Sequence, residues 1–167
     1  MSDESLETIY RRVALALNYA QMVETNLVTV LAVCQKAVDN LDPVEYFQLS
    51  ELWSKKTMGQ LVAQVRPLLG SLPNLQDRLD QAREKRNYIV HRYFQENAER
   101  LMLESHHEAL LDELSEIVGH LKATTEELQG ILQRVLLASG MTQDEYHRAL
   151  VTIQAGLLAG LRDTREH

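Results

Sequence analysis

An arginine, an asparagine, a histidine and a tyrosine stand in the order Arg86-Asn87-x3-His91-x-Tyr93, inside a stretch that otherwise reads as the middle of a helix. A guanidinium offers phosphate a planar fork of donors, and an imidazole moves protons near neutral pH. The combination suits phosphodiester chemistry. Arg83, Lys85 and Arg92 surround it and are candidates for holding substrate phosphates. Bare Arg-x4-His spacing is weak evidence, since composition alone yields it about 0.4 times in such a chain. It recurs at Arg162 and His167. Requiring the Asn and the Tyr as well lowers the expectation below about 0.001, which separates the first occurrence from the second.

Cleaving RNA without a metal needs three acts: deprotonating a 2′-hydroxyl, protonating the leaving 5′-oxygen and stabilising a doubly charged phosphorane. The two oxygens lie on opposite sides of phosphorus, so one histidine cannot serve both at once, whereas two can. An arginine aimed at the non-bridging oxygens supplies the electrostatic part. With one motif per chain, a two-fold homodimer is the natural way to bring two His91 and two Arg86 around one phosphate. At about 100° per residue, Arg86 and Tyr93 share one helix face, and Asn87 and His91 share another. The two pairs are expected to flank a groove rather than form one tight cluster. Asn87 can orient the imidazole or bind substrate, and Tyr93 can donate to phosphate. The bland alternative for His91 is a packed, hydrogen-bonded histidine under the bundle.

An Arg-Asn-x3-His-x-Tyr string late in a helix of a small all-helical chain resembles the HEPN superfamily, whose motif is Arg-x4-6-His with Asn, Asp or His favoured after the Arg. The Tyr93 variant resembles the HEPN toxins paired with minimal nucleotidyltransferase antitoxins. Lys55-Lys56-Thr57-Met58-Gly59-Gln60-Leu61 is also similar to the linker region of small HEPN relatives, though much less specifically. The resemblance spans about residues 3 to 136. It implies a metal-independent endoribonuclease leaving 2′,3′-cyclic phosphate ends, acting as a dimer in a toxin–antitoxin or defence system. It also implies a cognate nucleotidyltransferase partner for which Tyr93 is the modified residue. A reading of a different class is a non-catalytic HEPN-like bundle that binds a nucleotide or a protein as a regulator, or a plain helical scaffold.

The chain's net charge of −7 argues against broad nucleic-acid binding. Its distribution is uneven. Arg83 to Tyr93 holds four basic residues and one acidic, +3, leaving −10 on the remainder. An isolated basic spot on an acidic body fits capture of one phosphate or of a structured RNA, and a salt-bridged helix face would read the same way. The single cysteine, Cys34, lies on an apolar face and is expected to be a buried structural thiol. One cysteine and an N-terminus lacking a signal pattern suit the cytoplasm. No apolar run is long enough to span a bilayer.

These residues sit in an all-α chain. Ile9, Val13, Ala16, Ala20, Leu27, Leu31 and Cys34 mark a first long helix over residues 3 to 37. Asp42 and Pro43 open a second, bearing Tyr46, Phe47, Leu49, Leu52 and Trp53, and Thr57 caps a short third that ends near Pro67. A fourth runs from about Pro73 through the motif toward Glu96. From Asn97 or Ala98 a long helix carries Leu111, Leu114, Val118, Leu121, Thr125, Leu128, Leu132 and Val135 at heptad spacing, with one Thr in the seam. Thr142-x-x-Glu145 caps a last helix with Leu150, Ile153, Leu157 and Leu161. The expected architecture is an antiparallel helical bundle over residues 1–138. An additional C-terminal helix, residues 139–167, packs on the same domain or on a dimer partner.

Metal and cofactor sites are not expected. Glu104-x-x-His107 has the spacing of carboxylate-bridged di-metal bundles but lacks the second copy that such a site needs. Seven acidic residues against Arg100 between Glu96 and Glu116 read as a solvated face. No phosphate-cradling glycine loop, nucleophile elbow or zinc-finger spacing is present.

Overall fold

The computed structural model describes residues 3–39, 43–69 and 73–138. Helices run in the order α1 (Asp3–Asp39), α2 (Pro43–Ser54), α3 (Met58–Val65), α4 (Pro73–His91), α5 (Tyr93–Glu96), α6 (Ala98–Met102) and α7 (His107–Ala138). Short 3-10 turns cover Arg66–Leu69 and Glu104–His106. Among the described residues there is no strand, and the fold is an all-α bundle. No described helix is long and apolar enough to cross a membrane. The chain divides into two compact units, residues 1–129 and 130–167, with the boundary inside α7. The motif and every contact described below belong to the first unit. The C-terminal helix expected over 139–167 lies outside the described residues.

The first unit is built on α1, α4 and α7. Ser5 meets His107 and Asn26 meets Thr125, so α1 and α7 run parallel. Lys85 meets Glu116, Tyr88 meets Glu113 and the Arg78 carbonyl meets His120, so α4 runs antiparallel to α7. The apolar stripe of α1 is buried at Ile9, Val13, Ala16, Ala20, Val23, Leu27 and Leu31, and that of α7 at Leu114, Val118, Leu121, Thr125 and Leu128. The heptad seam of α7 is thus spent inside this chain. Each fully buried leucine contributes about 1.5–3 kcal/mol. Thr125 fits the seam because its hydroxyl donates to the Leu121 carbonyl one turn back, 2.9 Å away. Helix α2 packs on α1, and α3 packs on both α1 and α4. Thr57 and Gln60 form a reciprocal capping box at the start of α3, as the sequence implies.

Two helix boundaries differ from expectation. Helix α4 stops at His91, and Arg92 leaves helical geometry at φ −127°, ψ −27° before α5 begins. The long helix expected from Asn97 starts ten residues later, at His107, because Leu103 is extended at φ −113°, ψ 107°. Side chains offer the backbone other partners in this segment. Asn97, only 2% exposed, donates to the Tyr93 carbonyl and the Tyr88 hydroxyl, both at 2.9 Å, and accepts from Arg100 at 2.6 Å. His107 donates from Nε2 to the Leu101 carbonyl at 2.9 Å, and its Nδ1 lies 2.8 Å from the Ser5 hydroxyl. Glu113 of α7 closes the cluster by accepting from Tyr88 at 2.7 Å and from Arg100 at 3.0 Å. Buried polar groups satisfied in this way fix one geometry at the bend.

Candidate functional site

Leu75, Leu79, Ala82, Ile89 and Tyr93 are the buried row of the α4–α5 segment, and Arg86 occupies the fourth place of the same four-and-three stepping. A cation in an apolar stripe needs a partner. Glu24 of α1 provides it, with an oxygen 3.2 Å from the Arg86 Nε, each side chain 29% exposed. The contact is an ion pair without good hydrogen-bond geometry, since that Glu24 oxygen makes no hydrogen bond. It holds one edge of the guanidinium. The other edge turns along α4, where NH1 lies 3.3 Å from Asn87 Oδ1 and 3.5 Å from His91 Nε2.

Arg86, Asn87 and His91 therefore form one cluster, where helix phase alone places Arg86 on a different face from the other two. The long arginine side chain spans the angular gap that a Cβ-based reading leaves open. A guanidinium can only donate, so this contact uses the His91 Nε2 lone pair as acceptor and leaves the ring proton on Nδ1. Asn87 and His91 are exposed. A phosphate taking the forward edge of Arg86 as its donor would displace this contact and free the His91 Nε2 lone pair to accept a proton. His91 is not a packed core histidine. That description fits buried His107, while His120 is half-buried and donates from Nε2 to the Arg78 carbonyl at 3.1 Å.

Tyr93 does share the face of Arg86, but that face points into the core. Its residue is 0% exposed, its hydroxyl has no hydrogen-bond partner, and its ring stands edge-on to both Tyr88 and Phe94. Burial pushes its phenol up to about 12, with the nearby Glu113 carboxylate acting in the same direction. In this conformation no solvent-borne phosphate reaches it.

The remaining basic residues disperse. Arg83 pairs with Asp80 at 3.6 Å, and its aliphatic stem lies against Gly59 of α3. Lys85 reaches Glu116 of α7 at 3.2 Å. Arg92 lies over the Tyr88 ring, 5.5 Å from its centroid, and 3.6 Å from Glu96. Lys85 and Arg92 share a shallow groove of about 280 Å³ between α4 and α7, together with Tyr88, Glu84, Glu113 and Glu116. Three carboxylates against two cations do not make a phosphate pocket. Each of the four cations read as a basic spot therefore has a carboxylate within 4 Å. The stretch is thus a salt-bridged face rather than a set of bare cations, although Asp80 is shared with Arg66, which it meets at 2.7 Å.

Glu24 is the residue that sequence reasoning missed. It stands 62 positions before Arg86, so no spacing rule links them. The usable signal was an arginine inside one buried row and a glutamate adjoining another. Among the described residues, no three of His, Cys, Asp and Glu come together as a metal ion would need. Cys34 is half-buried, and burial raises its thiol above the ordinary range, which disfavours the thiolate. No family model, curated protein or solved structure matches the chain.

Proposed function

We propose that the chain is a metal-independent endoribonuclease of HEPN type, acting as a homodimer whose two Arg86–Asn87–His91 clusters face one scissile phosphate. The observation that carries this reading is the single juxtaposition of a guanidinium edge, an amide oxygen and an accepting imidazole nitrogen at 3.3 and 3.5 Å on an exposed helix end. In this mechanism one neutral His91 takes the 2′-hydroxyl proton through Nε2 as that oxygen attacks phosphorus. The partner's protonated His91 gives its proton to the departing 5′-oxygen, leaving a 2′,3′-cyclic phosphate. Arg86, braced by Glu24, places its forward edge against the non-bridging oxygens as charge develops there. Asn87 holds Arg86 in that orientation. Val90, 43% exposed on the same side of α4, offers an apolar surface for a second copy of the helix.

A toxin or defence role, with a nucleotidyltransferase as cognate antitoxin, belongs to the same proposal. With Tyr93 buried, modification by such a partner requires α5 to move. A second reading, a non-catalytic regulator or helical scaffold, is favoured by one observation, the carboxylate beside every cation of the motif stretch. Purified protein incubated with RNA separates the two. The ribonuclease reading expects cleavage that Arg86→Ala and His91→Ala each abolish without loss of helicity. Tight nucleotide or protein binding with no cleavage would establish the second.

A further inference from the structure

Residues 96–116 carry seven carboxylates against Arg100, −6 of the chain's net −7, so all other residues together sum to −1. Four of these carboxylates, Glu104, Glu108, Asp112 and Glu116, recur at every fourth position through the start of α7, and all four are exposed. That spacing puts them along one helix face. Glu116 pairs with Lys85, whereas Glu108 and Asp112 meet no cation among the described residues. Each end of the row offers something besides charge. Just ahead of Glu104, Met102 and Leu103 are 79% and 52% exposed. At the far end, Glu116 lines the shallow groove of about 280 Å³ between α4 and α7, together with Glu84 and Tyr88. The guanidinium of Arg92 lies over that Tyr88 ring, 5.5 Å from its centroid. The groove thus already holds a guanidinium of the chain itself on an aromatic face.

We propose that this face of α7, from Met102 to the α4–α7 groove, docks a basic amphipathic helix of a partner protein. An apolar side chain of that helix covers Met102 and Leu103, Lys or Arg side chains follow the carboxylate row, and one Arg replaces Arg92 on Tyr88. None of these residues belongs to the Arg86–Asn87–His91 cluster, and the inference does not depend on the ribonuclease reading. Charge complementarity selects the occupant. Carboxylates at one-turn intervals repel phosphates, which excludes a nucleic acid. They are strung out along the helix, and no three acidic or His side chains among the described residues converge on one point, which excludes a bound metal ion. From Glu104 to Glu116 the row runs about 18 Å, three turns of helix. A partner helix repeats its side chains at the same one-turn interval. Exposed apolar side chains rimmed by charge mark a protein interface, whereas a small polycation gains nothing from Met102. The acid row then steers and selects the partner, and the apolar end and the groove set its register.

The test uses the full chain and a fluorescein-labelled helical peptide of about 14 residues, with Leu at one end, Lys at every fourth position and Arg at the other end. A scrambled peptide of the same composition and spermine serve as controls. In anisotropy titrations the parent should bind the patterned peptide at least about tenfold more tightly than the scrambled one. Glu108→Lys with Asp112→Lys should weaken binding about tenfold or more and remove most of its salt dependence. Met102→Ser changes a side chain that is 79% exposed, so folding is unaffected, and it should weaken binding about three- to tenfold. Arg92→Ala should strengthen binding about two- to fivefold by clearing the Tyr88 ring. Lys122→Ala, which removes a charge outside the groove lining, should not. No binding of the patterned peptide by the parent, equal affinity for the scrambled peptide, or unchanged binding by the charge-reversed variant would overturn the docking face. Full displacement of the peptide by spermine at equal total charge would make the face a site for small polycations and overturn the protein partner. Binding by Arg92→Ala no tighter than by Lys122→Ala would overturn the placing of an Arg on Tyr88.

Discussion

Arg86 is held from behind by Glu24 and faces Asn87 and His91 in front, which makes its orientation the most sensitive quantity at this site. Removing the guanidinium or the imidazole should cost at least about a hundredfold in kcat. Glu24→Gln keeps the shape but loosens the brace. It should lower kcat about ten- to a hundredfold with little change in KM, because small misplacements of a catalytic group are expensive. Its effect on stability should stay within about 1 kcal/mol, as for other partly exposed ion pairs. Equal kcat in Glu24→Gln and the parent would remove Glu24 from the site. Tyr93→Phe tests the other residue the motif drew attention to. Its hydroxyl is buried without a partner, so losing it should leave stability unchanged or raise it by up to about 1 kcal/mol. Activity should persist, and loss of cleavage in this variant would show that the hydroxyl reaches the substrate after all.

The pH dependence of Tyr93 follows from the same burial. The folded chain keeps its phenolic proton up to about 12, against an ordinary value of 10.0, while the unfolded chain releases it earlier. Stability from this group is therefore intact below about pH 10 and lost as pH rises toward about 12. Tyr88 is shifted in the same direction by burial and by its hydrogen bond to Glu113. Melting temperatures measured across that window should fall less steeply in Tyr93→Phe than in the parent. Identical slopes would contradict a buried Tyr93.

The elements divide into those that local pattern dictates and those that tertiary contacts impose. The stripes of α1 and α7 and the capping box of α3 were legible because apolar periodicity and cap chemistry are local. The end of α4 at His91 was not legible. Arg92 is a good helix former, and the bend arises from burying Tyr93 and Asn97 and from binding Tyr88, Arg100 and Glu113 together. The same long-range satisfaction hides the late start of α7. Within the site, the approach of Asn87 and His91 followed from their spacing of four, whereas Arg86 joined them through its side-chain length. Asn97→Ala would leave Tyr88 and Arg100 short of partners inside the bend and should cost about 1–3 kcal/mol. Chemical denaturation would measure it, and a loss below about 0.5 kcal/mol would mean that the polar cluster does not hold the bend.

For the whole molecule, the proposed cleavage, with its two opposed proton transfers and one such cluster among the described residues, would require two copies of the chain. Specific activity should accordingly fall on dilution, in step with dimer dissociation followed by sedimentation. A strictly monomeric protein with full activity would refute the shared site. Mixing Arg86→Ala with His91→Ala chains goes further. If each half of the shared site can draw Arg86 from one copy and His91 from the other, mixing restores cleavage, whereas a site needing both copies of both residues recovers nothing. The central claim, that Arg86 and His91 cleave RNA unaided by a metal, is tested most directly by end-group analysis of products formed in EDTA. The account predicts 2′,3′-cyclic phosphate ends at an undiminished rate from the parent and none from His91→Ala. Cleavage that chelation stops, 3′-hydroxyl ends, or equal cleavage by His91→Ala would contradict it.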